Sequence, residues 1–395
     1  MRNPRWLFVL LAFVLFASPI GLIQRVGAQA TPVVPASTAQ PGTFQERFLT
    51  LARSMPDLLD EENAQLHYAD IAWRSEVIGI DPAGRGLLDV RVARGMALPR
   101  GFLYASVFPE LGFTSTEIDR SLFLDSFGAR VTLLQGRFDH DAVQRAMLEA
   151  GYVEEQIGTV PTLVLGGDDF MDLQTDLGML LFTGKFQYVL LLDNGMLAFT
   201  NLRAAAEQIV DVHAGVGATI ADDPEMRELI DSAPADLASV QIWSNAALDP
   251  AYDDRAYASQ FLSPEVVDQE DEVLAEIDAA NGPMPVFQWM LMGDSAGVGW
   301  VDDLTVIDGQ EGAVSILMLR FEHAADADSA RQIVDARFDA LNSLLARAPY
   351  TELMTLSTVS AGATDSIAVF AFDAPVAGRL FQMWERLDMR FIYPG

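Results

Sequence analysis

The chain has 395 residues, half of them apolar, which is enough for one large core or two ordinary ones. Its 56 acidic side chains against 25 basic ones leave a formal charge of -31, a field that repels nucleic acid and anionic lipid surfaces and argues against partners of either kind. Cysteine is absent, so disulfides, cysteine nucleophiles, thiolate zinc sites and an N-terminal lipid-carrying cysteine are excluded together.

At the N-terminus, Arg2 and Arg5 precede the apolar run Trp6–Ile23, and Ala28-Gln29-Ala30 supplies a small-x-small cleavage site before Thr31. This order predicts a secretory signal peptide over residues 1–30, with an uncleaved membrane anchor as the alternative. The product is expected to be extracellular or associated with the cell surface. Residues 31–54 then read as a flexible Pro/Ser/Thr/Ala leader followed by a short amphipathic helix, Phe44–Ala52.

Residues 55–225 carry the pattern of an α+β domain. The stretch Asp57–Trp73 ends as a strand, further strands are expected at Leu87–Val92 and Phe102–Phe108, and Ser115-Thr116-Glu117 signals a helix start before the apolar run Leu122–Phe127. A strand beginning at Val131 leads into a helix capped by Asp139, with Val143, Met147 and Ala150 along one side. Beyond the strand Thr159–Leu165, Asp193-Asn194-Gly195 predicts a tight hairpin between Tyr188–Leu192 and Met196–Thr200, because Asn-Gly tolerates the positive φ angles of a primed turn. Two helices close this half, Leu202–His213 and one opened by Asp222 or Asp223 with Pro224 in its first turn.

Residues 226–395 repeat the theme. An acidic lead-in ends in a strand at Trp243, Asp249–Ala280 is helical over much of its length, and strands are expected at Val286–Met292 and Leu304–Ile307. A strand from Val314 then feeds a helix bearing Ile333, Phe338, Leu341 and Leu345. The chain closes with the strand Ser366–Phe372 and a helix, Val376–Met389, whose apolar stripe is Leu380, Met383, Trp384 and Leu387.

The two halves share landmarks. Arg137-Phe138-Asp139-His140 and Arg320-Phe321-Glu322-His323 each mark a strand giving way to a helix, 183 residues apart, while Trp73 and Trp243 stand 170 apart. Matching pairs in the same order predict a duplicated two-domain α+β protein, each half a mostly antiparallel sheet with helices packed on one face, a ferredoxin-like core being favoured.

One catalytic motif stands out. Gly293-Asp294-Ser295-Ala296-Gly297 fits G-x-S-x-G after an apolar strand. These five residues resemble the serine loop of lipases and esterases of the hormone-sensitive type, and more loosely that of trypsin-like proteases. The resemblance implies Ser295 as nucleophile of a secreted serine esterase or hydrolase. Such a serine needs an orienting base, yet His323 is the one histidine downstream, and the glycine-rich segment that follows starts a helix poorly. A glycine-flanked turn is therefore the preferred reading and hydrolysis the alternative. A second alternative joins His140 and His323 with Asp139 and Glu322 in a metal site across a pseudo-twofold interface, against first-turn residues facing water. Acidic runs such as Asp249–Asp254 and Asp326–Asp328 do not reproduce a calcium loop, and phosphate-loop and dinucleotide motifs are absent.

These readings favour a non-catalytic exported binding or scaffolding protein with no cofactor. Its charge suits a neutral or cationic ligand or cell-surface component, and allows a loosely held divalent cation. A cleft between the halves is the expected ligand position, with Trp289, Trp300 and Tyr252 as candidate lining residues.

Overall fold

The computed structural model describes residues 42–59, 64–80, 111–126, 128–168, 187–193, 195–244, 258–295, 301–302, 305–306, 313–344, 346–374 and 378–393. The signal-peptide segment, nearly all of the leader, the strands expected at Leu87–Val92 and Phe102–Phe108, the run Asp249–Asp254, Ala296-Gly297 and Trp300 lie outside them.

The first half runs α1 (Phe44–Ala52), β1 (Gln65–Asp70), α2 (Ile71–Val77), β2 (Ile118–Ser126), β3 (Ala129–Gly136), α3 (His140–Glu149), β4 (Val153–Ile157), β5 (Val160–Val164), β6 (Tyr188–Leu192), β7 (Met196–Thr200), α4 (Arg203–His213) and α5 (Pro224–Ser232). The second runs β8 (Leu237–Ser244), α6 (Pro264–Asn281), β9 (Trp289–Ser295), β10 (Val301–Asp302), β11 (Thr305–Val306), β12 (Ala313–Arg320), α7 (Ala324–Ala340), β13 (Asn342–Ser343), β14 (Ala348–Pro349), α8 (Tyr350–Leu353), β15 (Thr355–Ala361), β16 (Ile367–Ala374) and α9 (Arg379–Glu385). Local chemistry sets several of these ends. Thr43 and Glu46 form a capping box on α1, Asp139 accepts from the N–H groups of Asp141 and Ala142 at 3.1 and 3.2 Å, and Asp223 accepts from Met226 N at 2.6 Å with Pro224 in the first turn of α5. Gly195 turns the β6–β7 hairpin at φ 68°, and a side chain there would run into the carbonyl oxygen of Gly136.

Twelve strands form one antiparallel sheet in the order β15-β16-β12-β9-β8-β1-β2-β3-β7-β6-β5-β4. Reading outward from the centre, β1-β2-β3-β7-β6 on one side answers β8-β9-β12-β16-β15 on the other, so the duplicated α+β architecture is visible in the topology. The central pair β1–β8 matches Leu66 with Ile242 and Tyr68 with Val240, an arrangement symmetric about the pair His67–Gln241. A pseudo-twofold axis therefore passes through the sheet at His67 and Gln241, and the halves share one ladder instead of facing each other across a gap.

Three details differ from the sequence expectation. Both halves have the strand-helix-strand-strand-helix succession of a ferredoxin-like core, but β1 and β2, and likewise β8 and β9, are antiparallel neighbours and do not enclose a third strand. Helices also cover both sheet faces, not one. Side chains of α1, α4 and α5 share a continuous core with Leu66, Tyr68, Leu122, Leu133, Ile242, Leu291 and Met318, whereas α3 packs with Leu134, Leu197 and Phe199, and α7 and α9 with Met290, Met292, Leu317 and Leu319. Strands such as β7 and β9 are buried at every residue, and a strand apolar on both sides requires cover on both sides.

The third difference concerns the landmarks. Trp73 lies in the first turn of α2, whereas Trp243 is within β8. Phe321 continues the β12 ladder through a 2.9 Å bond from its N–H to Ser366 O, the role that Gly136 plays toward Gly195 O, so Phe138 falls two residues beyond the equivalent position. Phe321 is fully buried and Phe138 half-buried against Phe113. The motif arginines share a simpler job at the strand exits: Arg137 pairs with Asp119 at 3.3 Å, and Arg320 with Glu225 and Glu228 at 3.1 and 2.8 Å.

Candidate ligand site at the centre of the sheet

On the face carrying α1, α4 and α5 the apolar core runs unbroken across the junction of the halves. The other face is different. Its apolar side chains fall into two clusters, one per half, and the strip between them is aromatic and polar. Side chains alternate along a strand, so register alone assigns this strip: Gln65, His67 and Ala69 of β1 stand between Asp125, Phe123 and Ser121 of β2 and Trp243, Gln241 and Ser239 of β8.

A row of rings crosses the strip. His67 lies edge-on to Phe123 at 5.5 Å and tilted against Trp243 at 5.6 Å; Trp243 meets Trp384 of α9 edge-on at 5.3 Å, and Trp384 stacks on Tyr393 at 6.3 Å. His67 and Trp243 remain half-exposed, whereas Trp384 and Tyr393 are buried. Beside the rings, Ser121 Oγ, Gln241 Oε1 and Trp243 Nε1 are buried atoms without a hydrogen-bond partner among the described residues. Leaving a buried polar group unpaired costs about 1–3 kcal/mol, so these three atoms keep bonding capacity that a bound molecule or ordered water could use.

Two buried carboxylates fix the ends of the strands that carry this strip, Asp70 from the opposite face of β1 and Asp294 from the same face of β9. Asp70 accepts from Arg47 Nε at 2.9 Å, Tyr68 OH at 3.1 Å and Trp73 N at 2.9 Å, and lies 3.3 Å from Arg120 Nε. Asp294, two residues along β9 from Met292, accepts from Ser315 Oγ at 2.6 Å and from the N–H of Gly378, which precedes α9. Burial raises the Asp294 carboxyl above its ordinary range, against the pull of Ser315, Arg74 and Gly378. The partner charge is Arg74 of α2, fully buried and lowered by desolvation to about 10. Asp294 thus ties β9 to the helix that carries Trp384.

The residues named from sequence fall elsewhere. Ser295 is the last residue of β9, 5% exposed, and its Oγ accepts from Val314 N at 3.3 Å. His323 caps α7 beyond Arg320, and Arg320 pairs with Trp289 at the far end of β9, so serine and histidine stand at opposite ends of the same strand pair. The turn reading is refined likewise: Gly293, Asp294 and Ser295 are ladder residues. Asp139 and His140 lie at the end of β3, which is the Asp70 end of β1; Glu322 and His323 lie past the end of β12, near Trp289 and the Trp243 end of β8. The pseudo-twofold axis sends the two copies to opposite edges of the sheet, so the structure does not bring this metal quartet together. No cluster of three or more metal-ligating side chains occurs among the described residues.

Phe138, Asp139, His140, Asp141, Asp193 and Gly195 instead line a shallow open recess of about 430 Å³ at one edge, with His213 Nε2 3.7 Å from Asp193. Trp289, named as a lining aromatic, is core: it is 3% exposed and its indole N–H donates to Glu225 at 2.8 Å. Sequence reading passed over His67 and Gln241 because neither belongs to a motif. The one available signal was that β1 and β8 carry polar side chains at the alternate positions of otherwise apolar strands.

No family model matches the chain, and no curated protein does. Two crystal forms of TP0453 are similar in structure: form III at 6% identity, covering 84% of this chain and 96% of that one with a TM-score of 0.37, and form I at 7% identity, 85% and 97% coverage and a TM-score of 0.35. A likeness this distant carries no argument about function.

Proposed function

We propose that the chain is a non-catalytic exported protein that works by binding or scaffolding at or outside the cell surface, and that its ligand seats on the strip at His67 and Gln241. The observation that carries this reading is the row of rings from Phe123 to Tyr393 flanked by the unpartnered Ser121 Oγ, Gln241 Oε1 and Trp243 Nε1. Rings offer an apolar face and the three polar atoms offer directed bonds, the usual division of labour in a small-molecule site. The acidic chain favours a neutral or cationic occupant. Of the acidic groups on this face, Asp125 pairs with Arg130, and the buried Asp294 is raised by desolvation and lies within the field of Arg74, so a neutral ring-bearing molecule meets little uncompensated charge there.

The test takes protein recovered outside the cell, whose intact mass is expected to begin at Thr31, and titrates it with the neutral aromatic dye N-phenyl-1-naphthylamine. Saturable binding with energy transfer from tryptophan is expected. Trp243→Ala should weaken it at least about tenfold, whereas Trp289→Phe, on the opposite face, should not. Absence of saturable binding, or equal loss in both variants, rejects this site; a full-length product extracted only from membranes rejects export by cleavage.

A further inference from the structure

The large sheet has two ends, and they are defended differently. β4, VEEQI, has Glu154 and Glu155 at its centre, Glu155 pairs with Arg203 at 2.8 Å, and Gln144 donates to Glu154 at 2.9 Å. A charged and cross-linked edge is a poor template for another strand. β15, TLSTVSA, is longer and carries no charge. All seven of its side chains are exposed or half-exposed, Val359 to 36%, and among the described residues it pairs with β16 alone. Its one protective device is a bulge between Leu356 and Thr358.

We propose that β15 is a self-association edge, pairing antiparallel with β15 of a second copy about a twofold axis near Thr358. Three features select a second copy. First, the strand is self-complementary: inversion about Thr358 sets Thr355 against Ala361, Leu356 against Ser360, Ser357 against Val359 and Thr358 against itself, uncharged throughout and small or β-branched at every position but Leu356. Second, copies that each carry -31 repel, so contact is least costly where a strand presents no carboxylate of its own. Third, β15 on the β4 of another copy would lie against Glu154 and Glu155. Head-to-tail stacking into fibres is thereby disfavoured, while the isologous contact closes at two chains. The dimer would hold one continuous sheet of twice the twelve strands. A contact of one seven-residue edge is small, so the association is expected to be concentration-dependent.

Sedimentation velocity over a concentration series reads this out. A monomer–dimer equilibrium is expected that tightens as salt rises from about 0.05 M to about 0.5 M, because screening removes repulsion between the acidic copies. Val359→Lys, which sets a charge on the edge, should weaken dimerisation at least about tenfold, while Val153→Lys on β4 should leave it unchanged. Because the chain has no cysteine, Thr358→Cys provides a second readout that does not depend on a destabilising substitution. Mild oxidation should give a covalent dimer, and Val153→Cys should not. A monomer at every concentration, open-ended oligomers, or equal cross-linking at Thr358 and Val153 would each overturn the proposal.

Discussion

Replacing Asp70 by alanine is expected to be among the most damaging single changes to this chain. The carboxylate is fully buried, accepts from Arg47, the Tyr68 hydroxyl and the N–H of Trp73, where it caps α2, and is ion-paired with Arg120. Removing one member of a buried ion pair costs about 3–5 kcal/mol, because the remaining charge is left without a partner in a dry interior. Losing a helix cap adds about 1 kcal/mol. Arg47 keeps its 2.8 Å bond to Leu237 O and its bond to Gly42 O, so the lower end of the first range applies and the sum is about 4 kcal/mol. Asp70→Asn can still accept from Trp73 N and should recover only the capping share, about 1 kcal/mol. Glu207→Ala, which breaks the exposed pair with Arg203, should leave stability essentially unchanged. Urea unfolding followed by tryptophan fluorescence measures all three as midpoint shifts at constant slope. A loss below about 1.5 kcal/mol for Asp70→Ala would show that the arginines reach water or other acceptors, and the reasoning would fail.

Asp294 gives a pH prediction of definite sign. Its folded carboxyl is raised above the unfolded value by burial, so the folded state holds the proton more tightly and stability falls as pH rises between the two values. The stability of Asp294→Asn relative to the parent should therefore increase as pH rises above the ordinary carboxylate range of about 4, and a flat or falling difference in urea midpoints would contradict the burial argument. For Ser295, an activated phosphonate probe should give no adduct by peptide mass mapping, since Oγ is buried against Val314 N and His323, the one histidine downstream, stands at the other end of the strand pair. Labelling that disappears in Ser295→Ala would restore the hydrolase reading.

Much of the fold was legible in the sequence wherever a local rule decides. The α1 boundaries, the caps at Asp139 and Asp223, and the Asp193-Asn194-Gly195 hairpin each depend on a few adjacent residues and came out where chemistry places them. Register across the central β1–β8 pair depends on residues more than a hundred positions apart, and there local reading failed. Trp73 and Trp243 looked equivalent by spacing, but Asp70 caps a helix that draws Trp73 out of its strand. Alternation in QLHYAD shows that His67 and Tyr68 face opposite ways; it does not show that Gln241 will stand opposite His67. β15 was missed altogether, because a strand exposed on both faces has no apolar period to betray it. The candidate site was likewise invisible, since it arises only once two halves of the chain meet.

The position of His67 and Gln241 on the pseudo-twofold axis has a consequence for how a molecule could lie there. Had the halves been identical separate chains, the two central residues would be alike, and any occupant would find two orientations of equal energy related by the axis. Within one chain the equivalence is broken at its centre: imidazole on one side, carboxamide on the other, with Phe123 flanking the first and Met292 the second. An occupant with distinct ends meets two different environments and has one preferred heading. Covalent linkage of the halves thus turns a reversible seat into a polar one, able to distinguish the head of a molecule from its tail.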